Sequence, residues 1–280
     1  MSRRHQLELR LNAYAEVRAI LSAMRNVALV ELRKLGGQLE HQRRAMSTIE
    51  RAAGDVMRFY APPGPAPQQA SVCIAIGSER GFCGEFNDTL TEAAGARGER
   101  LLVVGTRLAE RLGEARAAQL LPGASVVEEL PAVLEQVAAA LEREQRAAPL
   151  APLRVTVLYE DPELARPVAH VIAPLPAPET PPGARDFPPR LTLPPEQFFT
   201  ALAEQALLLA LQSAFSLSLI AENRRRLEHM DSALRRLDDT TAGLARRMHA
   251  ARQEEITQEI EVIMLSAQAL AEEEARPAAL

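Results

Sequence analysis

The apolar positions near both ends of the chain recur at helical spacing. The first row is Tyr14, Val17, Leu21, Met24, Ala28, Leu32, Leu35, Leu39, Gln42, Met46, Ile49, Ala53, Val56 and Tyr60. Its steps alternate between three and four, with one extra four at Ala28 to Leu32, which is the pattern of a seam along one long helix. The spacing predicts a helix over residues 5–58, roughly 80 Å long at about 1.5 Å per residue. Gly36-Gly37 weakens its middle by roughly 1 kcal/mol per glycine relative to alanine, so a bend or a close backbone approach is expected there. Pro62-Pro63-Gly64-Pro65 ends it. The second row is Leu227, Met230, Leu234, Leu237, Thr241, Leu244 and Met248, then a shift through Arg252 to Ile256, Ile260, Ile263, Ala267 and Leu270. Each row slips phase once, as in helices that wrap around each other for only part of their length. An antiparallel intramolecular coiled coil is the simplest pairing, with a cross-link expected between the neighbourhoods of Met24 and Met248. Two helices docking separately on their own partners remain the alternative.

Between the rows the period changes. Residues 71–76 and 101–105 read as buried strands, and residues 153–159 as a third. Helical patterns over 87–96, 107–113 and 132–146 separate them, and 168–172 adds an edge strand. Strand alternating with helix predicts a mainly parallel sheet in a three-layer α/β domain. Prolines at 174, 176, 178, 181, 182, 188, 189, 194 and 195 make an extended connector, and Pro194-Pro195 starts the last helix. The expected class is α/β with long helices. Its layout is an N-terminal shaft helix over 1–60, a body over 70–173, a Pro-rich connector over 174–195 and a C-terminal shaft helix over 196–273.

Composition agrees with long helices, since aromatics are 4% with no Trp while Ala and Leu dominate. The net charge of −5 argues against general nucleic-acid binding. Residues 1–60, however, carry 11 basic against 6 acidic side chains, a basic rod suited to acidic partners. Cys73 and Cys83 form no CxxC pair, which points to a reducing compartment without structural zinc. No apolar signal region follows the N-terminus, so a cytoplasmic protein is expected. Residues 206–221 are uncharged, Leu-rich and followed by Arg224-Arg225-Arg226. At 16 residues they fall short of the roughly 20 needed to span a bilayer, and read as a buried helix.

Catalytic chemistry finds little support. The turn Gly77-Ser78-Glu79-Arg80-Gly81-Phe82-Cys83-Gly84 lacks G-x-G-x-x-G, and the single lysine, Lys34, is followed by Leu, which removes a phosphate loop. No G-x-S-x-G elbow occurs. Cys83 beside Arg80 is either a lowered-pKa thiol or a small buried residue in a tight turn, and the tight turn between Gly81 and Gly84 favours the second. The histidines at 5, 41, 170, 229 and 249 have no metal-ligand spacing. No cofactor is expected. Arg252 and Gln253 lie at the phase slip, where spacing alone leaves solvated surface and partner contact equally open.

Three stretches carry a resemblance to the gamma subunit of F-type ATP synthases. They are Ala23-Met24-Arg25-Asn26-Val27-Ala28 with Arg33-Lys34, then Arg80-Gly81-Phe82-Cys83-Gly84-Glu85-Phe86-Asn87, and Arg252-Gln253-x-x-Ile256-Thr257-x-Glu259-Ile260. The last is similar to the family's most specific signature, Arg-Gln-x-x-Ile-Thr-x-Glu-Leu. Departures at Ala233-Leu234-Arg235-Arg236, Met248-His249, Ala19-Ile20-Leu21 and Glu85 place the chain on a divergent branch, in the manner of an alternative ATPase. The resemblance implies a non-catalytic rotor shaft in a ring of alpha and beta subunits, with the body on the membrane c-ring beside the epsilon subunit. That location is peripheral, on the cytoplasmic face of the inner membrane. Arg226, Arg252, Gln253 and Thr257 match positions that contact the beta subunits, while Arg80, Gly81, Cys83 and Gly84 match a structural turn. A coiled-coil adaptor with an α/β docking domain is the competing class.

Overall fold

A computed structural model describes residues 3–60, 70–113, 117, 119–149, 153–174 and 187–274. Its elements are α1 (Arg3–Tyr60), β1 (Ala70–Ile76), α2 (Phe86–Gly95), β2 (Arg100–Val104), α3 (Thr106–Leu112), β3 (Gln119–Leu121), α4 (Leu130–Ala147), β4 (Leu153–Asp161), β5 (Arg166–Ala173) and α5 (Pro195–Glu274). A 3-10 turn at Val127–Glu129 precedes α4. The chain divides into two compact units, Asn26–His229 and the paired segments Met1–Arg25 with Met230–Leu280, and both long helices contribute to each.

In the larger unit the sheet order is β3-β2-β1-β4-β5. Strands β1 to β4 are parallel, and β5 runs antiparallel to β4 at the edge. The continuous apolar run of β1 follows from its central place, where both faces are covered. Val72, Ile74 and Ile76 share one core with Leu102, Val104, Val155 and Val157. That core is closed by Val133, Val137 and Leu141 of α4, Leu35 of α1, and Leu211, Phe215 and Leu219 of α5. Cys73 and Ala75 face the other way, toward Phe86, Leu90 and Leu108 of α2 and α3. These are the three layers that the strand and helix pattern predicts.

α5 holds a stretch long and apolar enough to cross a membrane by length and composition. Within residues 206–221, Leu211, Ala214, Phe215, Leu219 and Ile220 belong to the sheet's core. The arginines that resembled a membrane stop are hydrogen-bonded to protein. Arg224 Nη1 donates to the Pro162 carbonyl at 2.5 Å, Arg225 Nε to Glu160 at 2.8 Å, and Arg226 to Glu222 and Asn223. Of the connector, residues 175–186 lie outside the described residues, and Tyr60 Oη donates to the Pro189 carbonyl at 3.1 Å.

In the smaller unit the helices run antiparallel. Arg4 meets Glu255 at 3.8 Å, Arg18 meets Asp238 at 2.8 Å and Arg25 meets Asp231 at 2.5 Å, so α5 numbers fall as α1 numbers rise. This register corrects two expectations. Met24 faces the neighbourhood of Asp231, and Met248 is displaced from that level by more than four turns. The α5 seam also does not continue through Arg252 to Ile256, Ile260, Ile263 and Ala267. Met230, Leu244 and Ala251 are buried, whereas those later residues are exposed, since among the described residues of α1 the contact nearest its start, Arg4 with Glu255, leaves no α1 side chain opposite them. The side chain of Leu270 is outside the described residues. Val17 of the first seam is likewise exposed. Gly36 and Gly37 neither break α1 nor allow a close approach, since a Cβ on either meets nothing within 4 Å.

Candidate partner-contact site

From Arg252, just before the Arg4–Glu255 contact, to Gln268, α5 is helical with no buried side chain. Ile256, Ile260, Val262, Ile263, Met264 and Leu265 are 47% to 65% exposed. Arg252, Ile256, Ile260 and Ile263 follow one another at steps of four, four and three, so an arginine heads an apolar row on one face. Among the described residues the Arg252 guanidinium has no hydrogen-bonded or ion-paired partner. Gln253 is exposed beside it, and the Thr257 hydroxyl donates back to the Gln253 carbonyl at 3.0 Å. The structure therefore brings Arg252, Gln253 and Thr257 together on two successive turns. The face can offer charge-assisted donors and an apolar surface to a second molecule.

Arg226 is placed elsewhere, inside the larger unit. Its side chain is 8% exposed and contacts the Glu222 carboxylate one turn earlier, while Nη1 donates to Asn223 Oδ1 at 3.1 Å. Burial pushes Glu222 up to about 7, against the pull of the Arg226 charge. This buried pair was readable as an i, i+4 Glu–Arg spacing only once that face of α5 was known to be covered.

The turn after β1 occupies a second location. Phe82 and Gly84 adopt φ of 65° and 59°, Phe82 pointing to solvent at 56% exposure and Cys83 inward at 3%. Cys83 Sγ lies 3.4 Å from Ser78 Oγ, and Asn87 Nδ2 donates to Ser78 Oγ at 2.7 Å while the Ser78 N–H donates to Asn87 Oδ1 at 3.0 Å. Burial pushes the Cys83 thiol above its ordinary value, the opposite of an activated nucleophile. Arg80 is exposed, and Gly81 would admit a Cβ without contact. A cleft of about 240 Å³ beside the turn is bounded by Phe82, Asn87, Arg107 and Arg111. The charges there are matched, Arg107 with Glu110 and Arg111 with Asp88. Sequence reasoning missed Glu79 and Glu160, whose partners Thr106, Gly123, Thr89 and Arg225 lie far away in sequence, and Glu222, whose partner Arg226 is one turn away on a face not recognised as covered.

Known proteins agree with this architecture. A family model described as ATP synthase matches residues 4–270. The ATP synthase gamma chain of Paramagnetospirillum magneticum is 25% identical over 298 positions, covering 94% of this chain and 98% of that one. A chain of the Euglena gracilis mitochondrial ATP synthase in rotational state 3 superposes with a TM-score of 0.61 at 14% identity, over 98% of this chain and 96% of its own length. A structure of the central stalk and c-ring of the Tetrahymena thermophila mitochondrial ATP synthase gives a TM-score of 0.50 at 18% identity, over 76% of this chain and 99% of that one. These likenesses show the same fold. Matched by the family model over nearly its whole length, the chain belongs to the ATP synthase family, as a non-catalytic stalk subunit of the gamma type.

Proposed function

We propose that this chain is the rotor shaft of a rotary ATP synthase, and that its α5 face bearing Arg252, Gln253, Thr257 and Ile256 works against the alpha and beta subunits. The observation that carries the proposal is the row itself: an arginine without a partner among the described residues, just before the Arg4–Glu255 contact, heads an apolar stripe that stays exposed at Ile256, Ile260 and Ile263, on a helix whose earlier turns bury Met230, Leu244 and Ala251 within the chain. An apolar helix face of this kind is covered by another protein in a working assembly. The α/β body rests on the c-ring beside the epsilon subunit, which makes the chain peripheral on the cytoplasmic face of the inner membrane, held there only through the c-ring.

Two unlike helices cannot present the same surface to three equivalent catalytic sites. Each rotational position therefore favours a different conformation at each site, and turning the rod moves those preferences around the ring. The chain makes no bond to nucleotide in this mechanism. Its work is differential contact, and Arg252 is suited to it because a charged donor binds a well-placed acceptor more strongly than a misplaced one.

The test is co-expression of the tagged full chain with alpha and beta subunits from the same genome. A complex should purify whose ATPase turnover is lost when residues 252–268 are removed from the chain. Recovery of the chain with an unrelated protein, and of alpha and beta without it, would instead support the adaptor reading.

A further inference from the structure

The carboxyl ends of parallel strands are where open α/β sheets usually bind ligands. In this body the ends of β1, β2 and β3 are drawn together by backbone hydrogen bonds. The Gly77 N–H donates to the Val104 carbonyl at 2.8 Å, the Gly105 N–H to the Leu121 carbonyl at 2.9 Å, and the Arg107 N–H to the Ser78 carbonyl at 3.0 Å. Into this junction projects the side chain of Glu79. Its Oε2 accepts from the Thr106 N–H at 3.0 Å and the Gly123 N–H at 2.7 Å, and its Oε1 accepts from the Thr106 hydroxyl at 2.7 Å. One carboxylate thus bridges the loops that follow β2 and β3.

The glycines around it have the spacing that this bridge requires. A Cβ on Gly123 stands 3.0 Å from the Gly105 Cα and 3.2 Å from Glu79 Oε2, so a side chain there presses on the carboxylate. Gly105 has a φ of 105°, and a Cβ on it stands 2.6 Å from the Gly77 carbonyl oxygen. Burial pushes Glu79 up, but the hydrogen bonds from Thr106 and Gly123 and the nearby Arg107 outweigh it and hold the carboxyl below its ordinary range.

We propose that Glu79 is the positioning residue of the turn Arg80–Gly84, whose first residue it precedes, by serving as the resident anion between the β2 and β3 loops. The turn is held from two sides. Cys83 is drawn inward by Ser78 and Asn87, and Glu79 ties the approach to the turn to the loops after β2 and β3. Between these anchors Phe82 stays outward at a positive φ that a free phenylalanine avoids. The same carboxylate takes up the three donors that a small oxyanion would need. The inference goes beyond the shaft reading and does not depend on it.

Cys83 reports the position of the turn, and Cys73, buried in β1, reports the integrity of the sheet. In the isolated full chain, alkylation of each thiol is followed by peptide mass. In Glu79→Gly, Cys83 should react faster by at least about tenfold, as expected when local opening loses charge-assisted hydrogen bonds, with Cys73 unchanged. Formate should slow Cys83 again in this variant and leave the wild-type chain unaffected, and Glu79→Gln, which keeps the shape but not the charge, should lie between them. A parallel rise at both cysteines, no rise at either, or a Cys83 rise that ignores formate would each overturn the proposal. If Glu79→Gly does not fold, an unchanged Cys83 rate in Glu79→Gln overturns it equally, and a rise confined to Cys83 supports it.

Discussion

The same two helices behave differently in the two units. In the larger unit Ala28, Glu31, Leu35, Gln42, Ala53 and Val56 of α1 are buried, and α5 is buried at most positions from Ala214 to Asn223. In the smaller unit no described side chain of α1 is buried, and α5 keeps Met230, Leu244 and Ala251. Seam spacing is similar in both, so periodicity does not set the difference. In the larger unit α1 and α5 also pack into the sheet's core, through Leu35, Leu211, Phe215 and Leu219, whereas among the described residues of the smaller unit each has the other alone. The pairing there is supplemented by Arg–Asp and Arg–Glu contacts across the helices, which are partly exposed and fix register more than they add stability. Past Glu255 even that partner is gone, and the apolar row is left outward.

The comparison breaks most easily at the core. Phe215→Ala empties a position that is 2% exposed beneath the sheet and should cost about 3–5 kcal/mol. Leu237→Ala, on the half-buried seam of the smaller unit, should cost roughly 1 kcal/mol. Equilibrium urea unfolding of the full chain measures both, and equal losses would remove the distinction between the regions.

A pH effect of intermediate size is expected from the buried Glu222–Arg226 pair. Burial holds Glu222 near 7 in the folded chain, above the 4.5 of a free glutamate. The folded state therefore keeps a proton that the unfolded state releases, and the associated stability is present below about 4.5 and lost as pH rises toward 7. Melting temperature should fall from pH 5 to pH 8 more in the wild-type chain than in Glu222→Gln. A larger fall in the variant would show that the ionised pair is net stabilising.

The smallest effect belongs to the glycines of α1. A Cβ on Gly36 or Gly37 meets nothing, so each change to alanine should stabilise the helix by about 0.5–1 kcal/mol, read from the same urea midpoint. A loss would mean that the pair serves a bend that the free chain does not show.

Much of the fold was legible because its elements are strongly periodic. The α1 seam from Leu21 to Tyr60, the apolar run of β1 and the helical face of α4 all lie where local pattern and burial agree. β3 was not legible, since Gln119–Leu121 is three residues long and owes its strand character to pairing with β2. Register was not legible either. Heptads repeat, and only specific pairs such as Arg25 with Asp231 distinguish one alignment from another. The apolar row from Ile256 was misread as seam because exposure to a missing partner and burial against a present one leave the same spacing. At the candidate site, the Arg252-Gln253 signature stood out by family likeness. Glu79 did not, because Thr106 and Gly123 approach it only after three strands are aligned.

The central claim is that the exposed stretch of α5 from Arg252 onward acts on another protein rather than on this chain. The direct measurement is made on Arg252→Ala and Gln253→Ala, with ATPase turnover of the complex assembled with alpha and beta subunits set beside thermal unfolding of the isolated chain. Loss of a charge-assisted contact worth roughly 1.5–3 kcal/mol should lower turnover about tenfold or more in Arg252→Ala, less in Gln253→Ala, with melting temperature unchanged in both. Unchanged turnover, or a melting temperature that falls in step with turnover, would contradict the account.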